Sequence, residues 1–159
     1  MSKVLITYYS SSGNTKKMAE YIAETIKKEG IETVLKKVED VKVGELTGYD
    51  GIIMGSPTYY GTMAWQMKKL IDESVSLHGS LKGKVGGAFS SAANIGGGNE
   101  TTVTDILHAM LIHGMIIQGE PTGDHYGPVA IGAPDVRALK CCERLGKNVA
   151  NLVKELYRS

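Results

Sequence analysis

Tyr8-Tyr9-Ser10-Ser11-Ser12-Gly13-Asn14-Thr15 follows the apolar run Val4-Leu5-Ile6 and leads into a helical pattern. The order is strand, hydroxyl-rich turn, helix start. A helix start exposes backbone N–H groups that lack a partner within the helix, at the positive end of its dipole. Such a position binds phosphate. Ser10, Ser11, Ser12 and Thr15 add hydroxyl donors, and Gly13 lets the backbone come close to a ligand. No lysine or arginine lies inside the turn; Lys16 and Lys17 come on the helix itself. The turn reads as a phosphate site built from neutral donors. The blander reading is an ordinary strand-to-helix turn with a Ser or Asn cap.

Outward from this turn, apolar runs alternate with helical spacing. Lys3 to Tyr8 reads as a buried strand. Asn14 to about Glu29 reads as a helix with Met18, Tyr21, Ile22 and Ile26 on one face, stopped by Gly30. Ile31 to Val38 is a second strand, and Asp40 to Gly48 a loop whose Leu46 touches the core. Gly51 to Ser56 is a third strand, uncharged as expected of one covered on both faces. Pro57 to Thr62 reads as a loop, and Met63 to about Leu77 as a helix with Met63, Met67, Leu70 and Ile71 inward. A fourth strand spans Lys84 to Ser91, followed by a glycine-rich loop over Ala92 to Asn99. Glu100 to about His113 is a helix, and Met115 to Ile117 a fifth strand. Val129 to Ile131 is a short strand or a continuation of the fifth. Pro134 starts the last helix. Strands alternating with helices predict an α/β fold, a doubly wound five-stranded parallel sheet with helices on both faces. Its ligand belongs outside the carboxyl ends of the strands, where strand order reverses.

The 159 residues suit one domain, residues 1–159. A net charge of +1 and 42% apolar content give no argument for nucleic acid, membrane or disorder. No apolar run reaches the roughly 18–20 residues of a membrane span. Met1-Ser2-Lys3 enters the first strand at once, leaving no place for a signal peptide, so a cytoplasmic protein is expected. Cys141 and Cys142 are neighbours without metal-ligand spacing, and are expected as one core-facing and one partly exposed thiol.

The fold brings three loops to one edge. The first is Ser10–Thr15. The second, Ser56-Pro57-Thr58-Tyr59-Tyr60-Gly61-Thr62, is stiffened by Pro57 and presents two rings. The third, Ser91-Ala92-Ala93-Asn94-Ile95-Gly96-Gly97-Gly98, offers bare backbone groups. Phosphate donors, an aromatic wall and a backbone-lined slot suit a phosphorylated planar heterocycle, with FMN the natural candidate.

On these residues the chain resembles a known family. Ser10-Ser11-Ser12-Gly13-Asn14-Thr15 resembles the FMN phosphate loop of flavodoxins, and Gly55-Ser56-Pro57-Thr58-Tyr59-Tyr60-Gly61 their second loop. Flavodoxins are themselves type examples of the edge-of-sheet ligand rule. Phe89-Ser90-Ser91 with Gly96-Gly97-Gly98, His113-Gly114-Met115, and Tyr126-Gly127-Pro128-Val129-Ala130-Ile131 are similar to the WrbA branch of NAD(P)H:quinone oxidoreductases. The resemblance implies phosphate contacts from Ser10, Ser12, Asn14 and Thr15. It implies ring contacts from Thr58, Tyr59, Tyr60 and Gly61, and contacts to the other edge from Ser91, Ala92, Asn94, Gly96 and Gly97. Ser11, Gly13, Pro57, Ala93 and Ile95 complete the expected cofactor-binding set. The implied partners are ferredoxin-like redox proteins for a carrier, or NAD(P)H and a quinone for a reductase in which His113 is catalytic. The reductase branch forms a homo-oligomer, but this chain lacks much of the segment near the fifth strand that shapes it.

The chain departs from both branches. Its third loop is small, with no aromatic to cover a flavin, and its charge is near neutral where carriers are acidic; both features differ from the carriers. Its phosphate loop and its short length differ from the reductases. An electron carrier is the leading expectation, a quinone reductase the alternative, and a cofactor-free scaffold a third class. Of the adjacent Tyr59 and Tyr60, one is expected at the flavin and the other packed elsewhere. Trp65 is expected in the core, with covering the second loop as the alternative. His113 has a flavin-side role or a helix-end dipole role. His125 has an alternative place at the open flavin face; His78 and His108 read as structural or solvated. No metal constellation is visible.

Overall fold

The computed structural model describes residues 1–157. The strands and helices in chain order are β1 (Lys3–Tyr8), α1 (Asn14–Lys28), β2 (Glu32–Lys37), β3 (Gly51–Tyr59), β4 (Thr62–Met63), α2 (Trp65–Glu73), β5 (Val85–Ala92), α3 (Asn99–Ile112), β6 (Ile116–Ile117), β7 (Val129–Ile131) and α4 (Val136–Leu156). Short 3₁₀ turns at Val38–Asp40, Val43–Gly48 and Ser74–Leu77 fill the connections.

The main sheet runs β2-β1-β3-β5-β6, and all of these pairings are parallel. β7 also lies parallel to β5, beside its last residues, while β6 lies beside its first. Together they make one interrupted fifth strand, with residues 118–128 looping out between them. The chain moves outward from β1 in one direction to β2 and then in the other to β3 and β5. Strand order therefore reverses at β1 and β3, the place where a crevice opens at the carboxyl edge.

Alternation along β1 explains the two-sided core. Val4, Ile6 and Tyr8 face α1 and α4, in one buried cluster with Met18, Ile22, Ile26, Val149 and Val153. Leu5 faces the other side, with Ile52, Met67, Leu70, Val103 and Ile106. The inner strand β5 is buried along its whole length. Its Phe89, the only phenylalanine, fills the space a Cβ on Gly55 would need: that atom would lie 2.0 Å from the ring. Gly127 is equally constrained, since a Cβ there would lie 2.1 Å from the Ala88 carbonyl oxygen.

Four expectations are corrected. Residues 57–62 are not a loop: β3 continues to Tyr59 and turns back through β4, pairing Thr58 with Met63 and Tyr59 with Thr62. Tyr60 and Gly61 form the two-residue turn, both at positive φ, +49° and +83°. Such a turn matches the twist of its flanking strands. Met63 is thus a strand residue, though still buried, and α2 begins at Trp65. Trp65 is not core: it is 68% exposed, on the outer side of a helix whose Met67 and Leu70 face inward. Cys141 is buried along with Cys142, because both lie on the inward half of α4. Desolvation pushes the Cys142 thiol up to about 12. Finally, α4 starts two residues after Pro134, with the Asp135 carboxylate accepting from the Ala138 N–H at 2.8 Å.

Candidate functional site

The cap position of α1 is Gly13, which has no side chain to cap it, and the helix carries no acidic residue in its first turn. Gly13 takes φ +95° and a Cβ there would meet nothing within 4 Å, so the backbone is open to an approaching group. Ser10 Oγ accepts from the Gly13 N–H at 3.1 Å and the Lys16 N–H at 3.3 Å. Of the four N–H groups that a helix start leaves unpaired, this satisfies the first and last. The Asn14 and Thr15 N–H groups remain directed out of the helix end. Ser11 and Ser12 are exposed beside them. The result is a donor-rich, acid-free helix start whose chemistry suits an anion such as a phosphomonoester.

The three loops meet through their side chains. Thr15 Oγ1 and Ser91 Oγ lie 2.9 Å apart and are buried, tying the first loop to the third. Whichever hydroxyl donates, its partner keeps one proton for another acceptor. Ser11 Oγ and the Tyr59 hydroxyl, 2.9 Å apart, tie the first loop to the hairpin. Thr58 Oγ1 contacts Ser90 Oγ at 3.1 Å and Thr102 Oγ1 at 2.9 Å, and Thr101 donates to the Gly61 carbonyl. These tie the hairpin to β5 and to the start of α3. Gly98 packs directly on Gly61: a Cβ on Gly98 would lie 2.8 Å from Gly61 Cα.

The two tyrosines diverge. The Tyr59 ring meets Tyr9 edge-on, centroids 6.3 Å apart, and is 41% exposed. Tyr60, at the hairpin tip, is fully exposed. Pro57 sits in β3 opposite Ser91, and the Ser56 hydroxyl accepts from the Ala64 N–H at 2.8 Å. In the third loop Ala92 is buried, while Ala93, Asn94, Ile95 and Gly96 are exposed. A turn holds this loop, with Gly97 N–H donating to the Asn94 carbonyl at 3.1 Å and Asn94 Nδ2 to the Ile95 carbonyl at 3.0 Å. Beside it an open groove of about 580 Å³ runs along Ile95, Glu100, Val129 and Ile131.

His113 is not brought to this edge. It follows α3, which starts at the carboxyl edge and runs back to the amino ends of the strands. There its Nε2 lies 2.8 Å from Ser74 Oγ, and its Nδ1 is buried without a partner. Burial, and then the neighbouring His78 ring, hold its pKa below the usual histidine value. β5 alone spans about 26 Å at 3.3 Å per residue, which separates His113 from the loops. His125 lies on the 118–128 loop, its Nδ1 2.8 Å from the Glu120 carbonyl, beside Tyr126 and the first turn of α3. It shares no hydrogen bond with the three loops. Among the described residues no group of three His, Cys, Asp or Glu is arranged to hold a metal ion. No helix of the described residues is long and apolar enough to cross a membrane.

Sequence reasoning quoted Tyr9, Ser90 and Gly98 within its motifs without giving them a contact, and missed Thr101 and Thr102; all five join or brace the loops. The signal was present in Gly98-Asn99-Glu100-Thr101-Thr102, a glycine and hydroxyl-rich helix start resembling the first loop.

The family described as "Flavodoxin domain" matches residues 5–93. A protein named "Flavodoxin" from Aquifex aeolicus (strain VF5) is 39% identical over 162 residues, covering 96% of this chain and 88% of that one. An "NAD(P)H dehydrogenase (quinone)" from Archaeoglobus fulgidus is 34% identical over 190 residues, covering 98% of this chain and 100% of that one. The solved structure of a flavodoxin, WrbA-like protein from Agrobacterium tumefaciens superposes with a TM-score of 0.82 at 27% identity, over 98% of this chain and 99% of that one.

Proposed function

The chain belongs to the flavodoxin family, and from that premise we propose that it binds FMN at the carboxyl edge of its sheet and carries electrons between redox proteins. The observation that supports this most is the joining of the three loops around the acid-free start of α1, where the Asn14 and Thr15 N–H groups lack a partner within the helix. Ser10, Ser12, Asn14 and Thr15 would hold the phosphate through hydroxyls and backbone N–H groups. Tyr59 and Tyr60 would line the ring, and Ser91 to Gly97 would meet its polar edge through the backbone. FMN, when bound, supplies one- and two-electron redox chemistry; the protein supplies position and electrostatics. Ser11 orients Tyr59 through its hydroxyl, and Thr101 holds Gly61 against Gly98. The exposed Tyr60 and Ile95 leave an apolar rim on which a redox partner can sit.

A second reading, an NAD(P)H:quinone oxidoreductase, is favoured by the small third loop and the groove beside it, which leave room for a second planar molecule. In that reading His113 of the same chain has no path to the ring, since it sits on Ser74 at the other end of the sheet.

The deciding experiment is anaerobic. FMN-loaded protein is mixed with NADH or NADPH while the flavin band is followed, and a benzoquinone is then added. The carrier reading expects no bleaching by either nucleotide, and reduction by dithionite or reduced ferredoxin. Rapid bleaching and quinone turnover would establish the reductase instead. Failure to retain FMN would remove both.

A further inference from the structure

We propose that the cleft between α2 and the turn after β2 binds a small organic cation, an ammonium group carried on an apolar body about one ring in size. Trp65, Gln66, Lys69, Leu70 and Glu73 line it from α2. Their spacing of i, i+1, i+4, i+5 and i+8 sets them along one side of the helix. Val38, Glu39 and Val41 face them from the 3₁₀ turn and the residue after it. The base is apolar, since Val38 and Leu70 are buried. The cleft holds about 130 Å³. A cavity of roughly 150 Å³ takes one benzene ring, so the space suits a body of that order.

Three features choose the charge of the ligand. First, three charged side chains line the cleft, and they are not balanced. Lys69 is paired with Glu73, 3.8 Å away, while Glu39 has neither an ion pair nor a side-chain hydrogen bond among the described residues. Lys37 and Lys42 flank this turn in the chain but do not line the cleft. One carboxylate is therefore left without a counter-ion. Second, Gln66 Oε1 is buried with no hydrogen-bond partner. An ammonium carries only donors, and supplies the missing one once the amide turns toward the cleft. Third, Trp65 is 68% exposed, and among the described residues its ring has no aromatic or cationic partner. Tryptophan is the side chain whose ring attracts a cation best. An anion would meet Glu39, and a neutral body would leave both Glu39 and Gln66 Oε1 without a partner. None of these residues belongs to the three loops, so the cleft is independent of FMN.

Trp65 makes the test direct, because it is the only tryptophan and reports on this cleft alone. The full chain is titrated with benzylammonium chloride, and with benzyl alcohol and benzoate as probes of the same ring, while Trp65 emission is followed at constant ionic strength. Benzylammonium is expected to shift the emission saturably. Its dissociation constant should lie about tenfold below that of benzyl alcohol, from a charge-assisted hydrogen bond and the cation–ring contact. Benzoate should not bind. Glu39→Gln and Gln66→Leu should each remove most of the preference for the ammonium, with circular dichroism unchanged. No saturable shift with benzylammonium would overturn the proposal. So would an equal affinity for benzyl alcohol, or a preference that survives both substitutions.

Discussion

The two ends of the sheet are built from opposite materials. At the carboxyl ends, hydroxyls, glycines and a left-handed tyrosine crowd together: Ser10, Ser11, Thr15, Thr58, Ser90, Ser91, Thr101 and Thr102 bond one another or the backbone. At the amino ends, charged side chains tie down the strand starts. Lys3 N–H donates to Asp50 Oδ2 at 2.9 Å, and Lys84 Nζ to the carbonyls of Tyr49 and Thr47 at 2.6 and 3.0 Å. Nothing in packing calls for eight hydroxyls at one end. Serine and threonine contribute less to a core than alanine and valine, and each buried one must find a partner. The amino end stabilises, whereas the carboxyl end gathers the polar groups that the proposed FMN site would use.

The most direct way to break this comparison is to strip donors from the carboxyl end. Ser12→Ala with Thr15→Val removes two hydroxyls from the α1 start. The FMN dissociation constant is expected to rise about a hundredfold, from two hydrogen bonds to a charged group. Stability should fall by only about 1 kcal/mol, because Ser91 loses its buried partner. Flavin-fluorescence titration and thermal melting separate the two effects. Unchanged flavin affinity would leave the hydroxyl cluster without a purpose.

A smaller effect sharpens the same contrast at the hairpin tip. Among the described residues Tyr60 is the one non-glycine at positive φ, and its ring touches solvent. Asparagine followed by glycine is the preferred pair for this turn. Tyr60→Asn should therefore raise stability, by about 0.5–1 kcal/mol. It should also shift the spectrum or potential of bound flavin. A strained aromatic that can be replaced with no change in either flavin property would be merely a poor turn.

Much of this was legible in the sequence. The uncharged runs in β1, β3 and β5, separated by helical spacing, pointed to a parallel sheet with helices on both faces. The loops met because parallel strands all end at the same edge of the sheet. The hairpin was not legible, because Pro57 and Gly61 read as loop residues and Tyr60-Gly61 is a rare turn pair. Trp65 was misplaced because a large ring predicts burial, whereas its position on α2 faces outward. His113 could have been placed: a crossover helix after β5 must run back to the amino ends, so its last residue cannot remain beside the loops. The motif drew attention to a residue that the topology had already moved away.

That displacement supplies the smallest expected effect, confined to the amino end. His113 is held below the ordinary histidine pKa, first by burial and then by the neighbouring His78. The unfolded chain therefore takes up a proton more readily than the folded one. The stability linked to His113 is present above the ordinary histidine range and is lost as pH falls through it toward the folded value. The geometry agrees. Ser74 Oγ donates to the Ile71 carbonyl at 2.6 Å, so it receives a hydrogen from His113 Nε2. A proton added at Nδ1 would then be buried with no acceptor. His113→Gln keeps a neutral donor toward Ser74 and should flatten the decline of melting temperature between neutral and mildly acidic pH. FMN affinity should not change, since the substitution lies at the far end of the sheet. A loss of flavin affinity or of quinone turnover in this variant would reconnect the two ends and undo the division of labour between them.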